Sequence, residues 1–155
     1  MKTIVAPLLS ALLVAGCASG KDPNPHPPPP PPRAAEPDRI VVRHILISFA
    51  GAPRVKQTRS KAEAEKLARE LLERVKKGES FEELMKRYSD DTGPGEYGMA
   101  NHNVAPGDPQ KEFPRQGMVP AFGNVGFQLG VGEIGLAVHH EKDSPFGWHI
   151  IQRVK

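Results

Sequence analysis

The sequence predicts an α+β domain in which helices pack around a small, mostly antiparallel sheet. Three observations lead to this prediction. Residues 40–49 are rich in Ile and Val and alternate like a strand, capped amphipathic segments follow them, and two short apolar segments separated by a turn lie near the C-terminus. This order of strand, helices and hairpin is typical of α+β domains.

Two helices are predicted from their N-caps and from the spacing of their apolar residues. Ser60 opens the first helix, and Glu63 completes a capping box three residues later. Apolar residues at helical spacing continue to Gly78, which ends the helix at the usual left-handed position. Ser80 and Glu83 form a second capping box, which predicts a second helix.

The rest of the domain gives weaker signals. Residues 89–98 contain three glycines and are predicted to be a turn-rich stretch, and residues 101–117 are predicted to be a long loop. A short helix is predicted within residues 119–129. Residues 134–139 and 148–154 are predicted to be short strands joined as a hairpin.

The N-terminus has the parts of a secretory signal. Lys2 precedes an apolar run at residues 4–15, which is shorter than the ~20 residues that span a bilayer, and small residues precede Cys17. This pattern resembles the lipobox of bacterial lipoproteins, which implies removal of residues 1–16 and attachment of lipid to the Cys17 sulfur. An ordinary signal peptide with a chance cysteine is the alternative. Lipidation places the chain in the cell envelope facing the periplasm, and Ala18, rather than an Asp, favours the outer membrane.

Residues 17–38 are predicted to be a disordered spacer between the lipid anchor and a single domain at residues 39–155. Residues 27–32 are six consecutive prolines, which exclude helix and sheet and favour polyproline II. A ligand for a proline-binding module is the alternative reading of this segment.

The composition excludes several classes of function. The net charge of +3 is too small to indicate a nucleic-acid-binding surface, so no nucleic acid is expected as a partner. Cys17 is the only cysteine, so no internal disulfide is expected. His139 and His140 are adjacent on a predicted strand and point to opposite faces, and neither C-x-x-C nor H-E-x-x-H occurs, so no metal site is expected.

Five motifs occur in one order along residues 40–155: RHILI at 43–47, FEEL at 81–84 with YSDD at 88–91, GEYG at 95–98, GMVPAF at 117–122 and FGWHII at 146–151. Together they resemble the parvulin family of peptidyl-prolyl cis/trans isomerases. The resemblance implies an FKBP-like fold, with a four-stranded antiparallel sheet surrounded by helices. It also implies rotation about the bond before proline, with no metal or cofactor.

The same resemblance supplies the candidate site. By position, it assigns the polar catalytic side to His44, Asp91 and His149. The expected substrate-binding residues are apolar or aromatic: Tyr97, Met118, Phe122, Phe127 and Phe146. Tyr97 stands where many members carry a smaller aliphatic residue, and Phe146 stands where some carry a hydroxyl.

The chemistry of the reaction suits these residue types. Amide resonance gives a rotation barrier of roughly 18–20 kcal/mol, and a catalyst must favour the twisted amide over both planar forms. An apolar cup can hold the proline ring while polar groups act on the amide. Two roles stay open for the histidines, direct proton transfer or a hydrogen-bonded pair that shapes the site. For Asp91, electrostatic stabilisation is preferred to covalent attack, and a merely helix-ending polar residue is the alternative.

Two loops have open interpretations. Arg54, Lys56 and Arg59 follow the first strand, and we interpret them as a solvated loop rather than as a complete site for a phosphorylated residue. The long loop at residues 101–116 either shapes substrate access or is a neutral insertion.

Two hypotheses for function follow. The first is a lipid-anchored, monomeric isomerase that acts on proline-containing segments of exported, unfolded or folding proteins. Uncatalysed isomerisation takes tens to hundreds of seconds and limits folding. The second is a chaperone or assembly module that grips such segments in the same groove without turnover.

Overall fold

The computed structural model describes residues 35–108 and 110–155. The predicted signal peptide, Cys17 and most of the predicted spacer lie outside these residues. No helix in the described part is both long and apolar enough to cross a membrane. The elements, in chain order, are β1 (Arg39–Ile47), α1 (Lys61–Lys76), α2 (Phe81–Tyr88), β2 (Glu96–Ala100), β3 (Glu112–Pro114), a 3₁₀ turn (Arg115–Gly117), α3 (Pro120–Gln128), β4 (Ile134–Ala137) and β5 (Trp148–Arg153).

The described strands form one sheet in the order β3-β2-β1-β5-β4. Central β1 runs antiparallel to β2 and β5, and β4 runs antiparallel to β5, whereas β3 runs parallel to β2. The predicted α+β architecture and C-terminal hairpin are confirmed. The prediction of four antiparallel strands was wrong in number, because residues 112–114 of the predicted loop pair with the edge of β2. Three residues are too few to show strand alternation in a sequence.

β2 occupies part of the segment that the sequence predicted as turn-rich. Glycine weakens a strand signal because it has no side chain to pack. In this strand, however, only glycine fits at position 98, because a Cβ there would lie 2.8 Å from the carbonyl oxygen of Lys111. The missing side chain lets the backbone before β3 approach β2.

The predicted helix ends are confirmed. The Ser60 hydroxyl accepts a hydrogen bond from the Glu63 N–H (3.3 Å), and the Glu63 carboxylate accepts one from the Ser60 N–H (2.7 Å). At the start of α2 the N-cap is confirmed, because Ser80 accepts the N–H of Glu83 (3.3 Å), but the reciprocal bond that completes a capping box is present only at Ser60. Gly78 has a φ of 95°, which is the left-handed conformation that glycine adopts without strain.

Both faces of β1 are buried, and alternate residues belong to different cores. Ile45 packs with Ile150 of β5 against α1 and α2. Val42 and Ile151 pack on the other face, against α3. His44 shares that second face, because residues two apart on a strand point the same way. The candidate site is therefore built on the face that α3 covers.

Candidate active site

Two histidines meet at the centre of the sheet. His44 on β1 lies opposite Ile151, and His149 on β5 lies opposite Leu46, so the two histidines are diagonal neighbours on one face. Their Nδ1 atoms are 3.2 Å apart. Only 5% of His44 and 4% of His149 are exposed. Strand register thus brings together two rings that are 105 residues apart in the chain.

Asp91 faces His44 from the turn that follows α2. Its Oδ2 accepts hydrogen bonds from His44 Nε2 (2.9 Å) and from the Tyr97 hydroxyl (2.8 Å), and its Oδ1 accepts one from the Gly93 N–H (3.1 Å). These bonds, above all the one from His44, hold the pKa of Asp91 well below its usual range. Burial and the bond to Asp91 raise the pKa of Tyr97. At neutral pH a carboxylate therefore lies beside a neutral phenol.

The bond to Asp91 fixes one proton position in the histidine pair. Because the Asp91 carboxylate only accepts, His44 Nε2 carries a hydrogen. The Nδ1 atoms of His44 and His149 share one hydrogen bond, in which one ring donates and the other accepts. Burial, with a contribution from His44, lowers the pKa of His149 to about 3, so His149 is neutral at pH 7. Its buried Nε2 has no hydrogen-bond partner among the described residues.

Apolar side chains form the wall beside the histidine pair. Phe122, in the first turn of α3, meets both imidazoles edge to face, with ring centroids 5.0 Å from His44 and 5.5 Å from His149. Met118 and Val119 precede α3 and line the same cavity, whose volume is about 470 Å³. This volume lies within the usual range of small-ligand sites. The cavity thus joins an apolar wall to the polar chain that ends at Asp91.

The loop after β1 forms a second wall, which the sequence did not predict. Arg54 and Lys56 are exposed, as expected for a solvated loop, yet both also line the cavity. A loop leaves no periodic signal that would relate it to a site formed far away in sequence. Further lining residues that the sequence analysis did not select are Leu46, Val55, Gln57, Asp90, Thr92 and Val119.

The two remaining candidates have different positions. Phe146, between β4 and β5, lines the cavity. Phe127 is outside the cavity lining and is only 2% exposed. Five positions separate it from Phe122, which turns the two side chains roughly 140° apart around the helix. Phe127 instead packs beneath the Arg115 guanidinium, whose carbon is 4.6 Å from the ring centroid.

Comparison with known proteins assigns the family. The sequence profile of the PPIC-type PPIase domain matches residues 33–155. The chain belongs to the parvulin family of peptidyl-prolyl isomerases. Its fold agrees with that of other parvulins. Peptidyl-prolyl isomerase ESS1 from Candida albicans covers 76% of this chain, and 63% of its own, at 24% identity and a TM-score of 0.59. The solution structure of TbPIN1 covers 76% of this chain and 98% of its own, at 21% identity and a TM-score of 0.56.

Two kinds of curated relative share this parvulin domain. Chaperone SurA of Pseudomonas aeruginosa is 36% identical over 115 residues, which are 74% of this chain and 23% of the relative. Foldase protein PrsA 3 of Bacillus anthracis is 33% identical over 100 residues, which are 64% of this chain and 31% of the relative. The parvulin chain therefore spans less than a third of the length of each of these relatives.

Proposed function

We propose that this protein is a peptidyl-prolyl cis/trans isomerase for proline-containing segments of exported proteins. One observation carries the proposal. The cavity places the apolar wall of Met118 and Phe122 beside the hydrogen-bonded chain of Asp91, His44 and His149. These are the two surfaces that a catalyst of amide rotation requires, and they face the same space.

The apolar wall binds and orients the proline ring. Phe122 offers an aromatic edge and Met118 an adaptable thioether, and both pack well on a saturated ring. Placing the ring here removes water from the adjacent amide. Water stabilises the planar amide through its resonance dipole, so removing it favours the less polar twisted form.

The Asp91 carboxylate supplies the electrostatic part. In the planar amide, resonance puts negative charge on the carbonyl oxygen, and a carboxylate beside that oxygen raises the energy of the planar form. Rotation removes the resonance and relieves the repulsion, so Asp91 acts more favourably on the transition state than on the ground state. Its hydrogen bonds and its low pKa make it a poor nucleophile. We therefore assign it a non-covalent role.

The histidine pair keeps the carboxylate in place. His44 is buried, is held by His149 and donates to Asp91, so its ring cannot turn without breaking two hydrogen bonds. This favours the structural role over direct proton transfer. A preorganised group costs little reorganisation during the reaction.

The site of action that we propose is the cell envelope. The signal-like segment and Cys17 support export and lipid attachment, with the domain facing the periplasm. The names of the relatives, a chaperone and a foldase, support action on proteins that are folding. The chaperone name also favours a second candidate function, in which the same groove binds extended segments without turnover.

An isomerase assay on a short Xaa-Pro peptide separates the two candidates. The wild-type protein should accelerate isomerisation, and Asp91→Asn should lower kcat/KM on the order of 10²-fold, because it removes the charge but keeps the shape. Exposed Val131→Ala is the matched control. A wild-type rate equal to that of buffer, together with saturable peptide binding, would exclude catalysis and leave the binding module.

A further inference from the structure

Arg115 is a buried charged residue that the catalytic proposal does not use. Only 8% of the residue is exposed. Its guanidinium donates to the Glu36 carboxylate, to Asn101 Oδ1 (2.8 Å) and to Asn124 Oδ1 (2.9 Å). Burying a guanidinium is costly unless it is paired. The loss of any one partner should therefore change the position of Arg115 and of the partners that remain.

The backbone and stem of Arg115 hold the apolar wall. Arg115 opens the 3₁₀ turn, and its carbonyl accepts the N–H of Met118 (3.1 Å). Its Cγ lies so close to α3 that a Cβ on Gly123 would be 3.2 Å from it. Gly123 directly follows Phe122, and Asn124 directly follows Gly123. Arg115 therefore contacts both the segment that carries Met118 and the helix turn that carries Phe122.

Glu36 brings the end of the predicted spacer into this arrangement. The hydrogen bond from Arg115 lowers the pKa of Glu36, so the pair is charged at neutral pH. Two further bonds fix the same segment, since Asn101 Nδ2 donates to the Pro37 carbonyl (3.0 Å) and the Asn101 N–H donates to the Asp38 carbonyl (2.8 Å). The chain that enters β1 is thus fastened to the residue that supports the cavity wall.

We propose that Arg115 and Glu36 are positioning residues for substrate binding, and that they couple the end of the spacer to the apolar wall formed by Met118 and Phe122. The inference rests on the proposed function, since the proline segment is the substrate of that wall. Neither residue lines the cavity, so both act through others. A change at Glu36, before the first strand, should therefore alter how tightly the cavity holds a peptide.

The test compares the variant Glu36→Gln with wild type in the full chain. The amide keeps the size of the side chain but removes its charge. The KM for an Xaa-Pro peptide should rise roughly 3- to 10-fold, with kcat unchanged within about twofold. Glu79→Gln is the matched control, because it breaks the Glu79–Arg74 pair (2.6 Å) on the helical side away from the wall and should leave KM unchanged.

A second readout does not depend on catalysis. With ¹³C-methyl methionine, the Met118 signal should shift in Glu36→Gln, whereas Met85, which lies against Gly95, should keep its position. Arg115→Lys should produce the same changes in KM and in Met118. In the double variant with Arg115→Lys and Glu36→Gln, the change in KM should be smaller than the two single changes combined, because the residues act as one unit.

The outcomes are distinguishable. If Glu36→Gln lowers the melting temperature but leaves KM and the Met118 signal unchanged, the contact is only structural and the inference is wrong. If the wild type shows no isomerase activity, the proposed function fails. Peptide affinity can then still be measured by following the Met118 signal during a titration with peptide. The inference requires weaker binding in Glu36→Gln than in wild type, and equal affinities would overturn it.

Discussion

Two adjacent aspartates perform different tasks in this protein. Asp91 faces His44, whereas Asp90 accepts hydrogen bonds from the Ser48 N–H and Gln57 Nε2, each at 2.7 Å, and pairs with Arg59. Asp90 therefore fastens the loop after β1, while Asp91 supplies charge to the cavity. Both residues line the cavity, but their hydrogen-bond partners differ, so the two neighbours have different roles.

His149 should make stability depend on pH. Its pKa in the folded protein is about 3, below the ordinary 6.5, so between these values the unfolded chain binds a proton that the folded protein does not. The stability that neutral His149 contributes is complete above about pH 6.5 and is lost progressively as the pH decreases toward 3. Chemical denaturation of wild type at pH 7 and pH 5 measures this loss.

The variant His149→Gln should lose less stability than wild type over the same pH interval, because it has no imidazole to protonate in the unfolded chain. Exposed His140→Gln controls for the removal of a histidine as such. Equal losses in wild type and His149→Gln would contradict the assignment of a neutral, buried His149.

At the scale of the elements, close backbone contacts position the strands that carry the site. Gly147 precedes β5 and has a φ of 139°, and a Cβ there would lie 2.2 Å from the Ile47 carbonyl oxygen. Since the obstacle is backbone, a rotamer change cannot relieve it. This contact joins the start of β5 to the end of β1, within the register that makes His44 and His149 diagonal neighbours.

Gly147→Ala should therefore be strongly destabilising. The left-handed backbone costs about 1–2 kcal/mol for a residue with a Cβ, and the clash adds roughly 1–3 kcal/mol. Gly132→Ala is the matched control, because Gly132 has a φ of 84° but no atom within 4 Å of an added Cβ. Thermal unfolding should show a clearly larger loss for Gly147→Ala, and equal losses would contradict the steric argument.

At the scale of the whole molecule, the domain places helices on both faces of its sheet. α1 and α2 cover one face and form the larger core, whereas α3 covers the other face and leaves the cavity at its N-terminal end. The site therefore lies beside the smaller core, where loops meet the sheet. Mutations under α1 and α2 should therefore alter mainly stability, and mutations beside the cavity should alter mainly binding.

Lipid attachment is the prediction that concerns the full chain. In the native host, mass spectrometry of the peptide that begins at Cys17 should show an acylated N-terminus in the membrane fraction. Cys17→Ser should move the protein to the soluble fraction while isomerase activity stays unchanged, because Cys17 is far in sequence from every residue of the cavity. An unmodified Cys17 in a soluble wild-type protein would contradict the anchor.

What the sequence alone determined is mostly local. The caps at Ser60 and Ser80 act over three residues, the left-handed Gly78 ends its own helix, and alternation marks β1 from neighbour to neighbour. These signals can be recognised in the sequence because the interacting residues are close together in the chain. Motif order then pointed to the family and to the residues that meet in the cavity, including His44.

Tertiary structure alone decided the rest. β3 forms because β2 offers an edge, the loop at Arg54 becomes a cavity wall because Asp90 fastens it, and Phe127 leaves the cavity because the turn of α3 points it to the core. The pair of Glu36 and Arg115 joins residues 79 positions apart. Each depends on the relative placement of distant segments, which close packing of the whole domain sets and which no local pattern encodes.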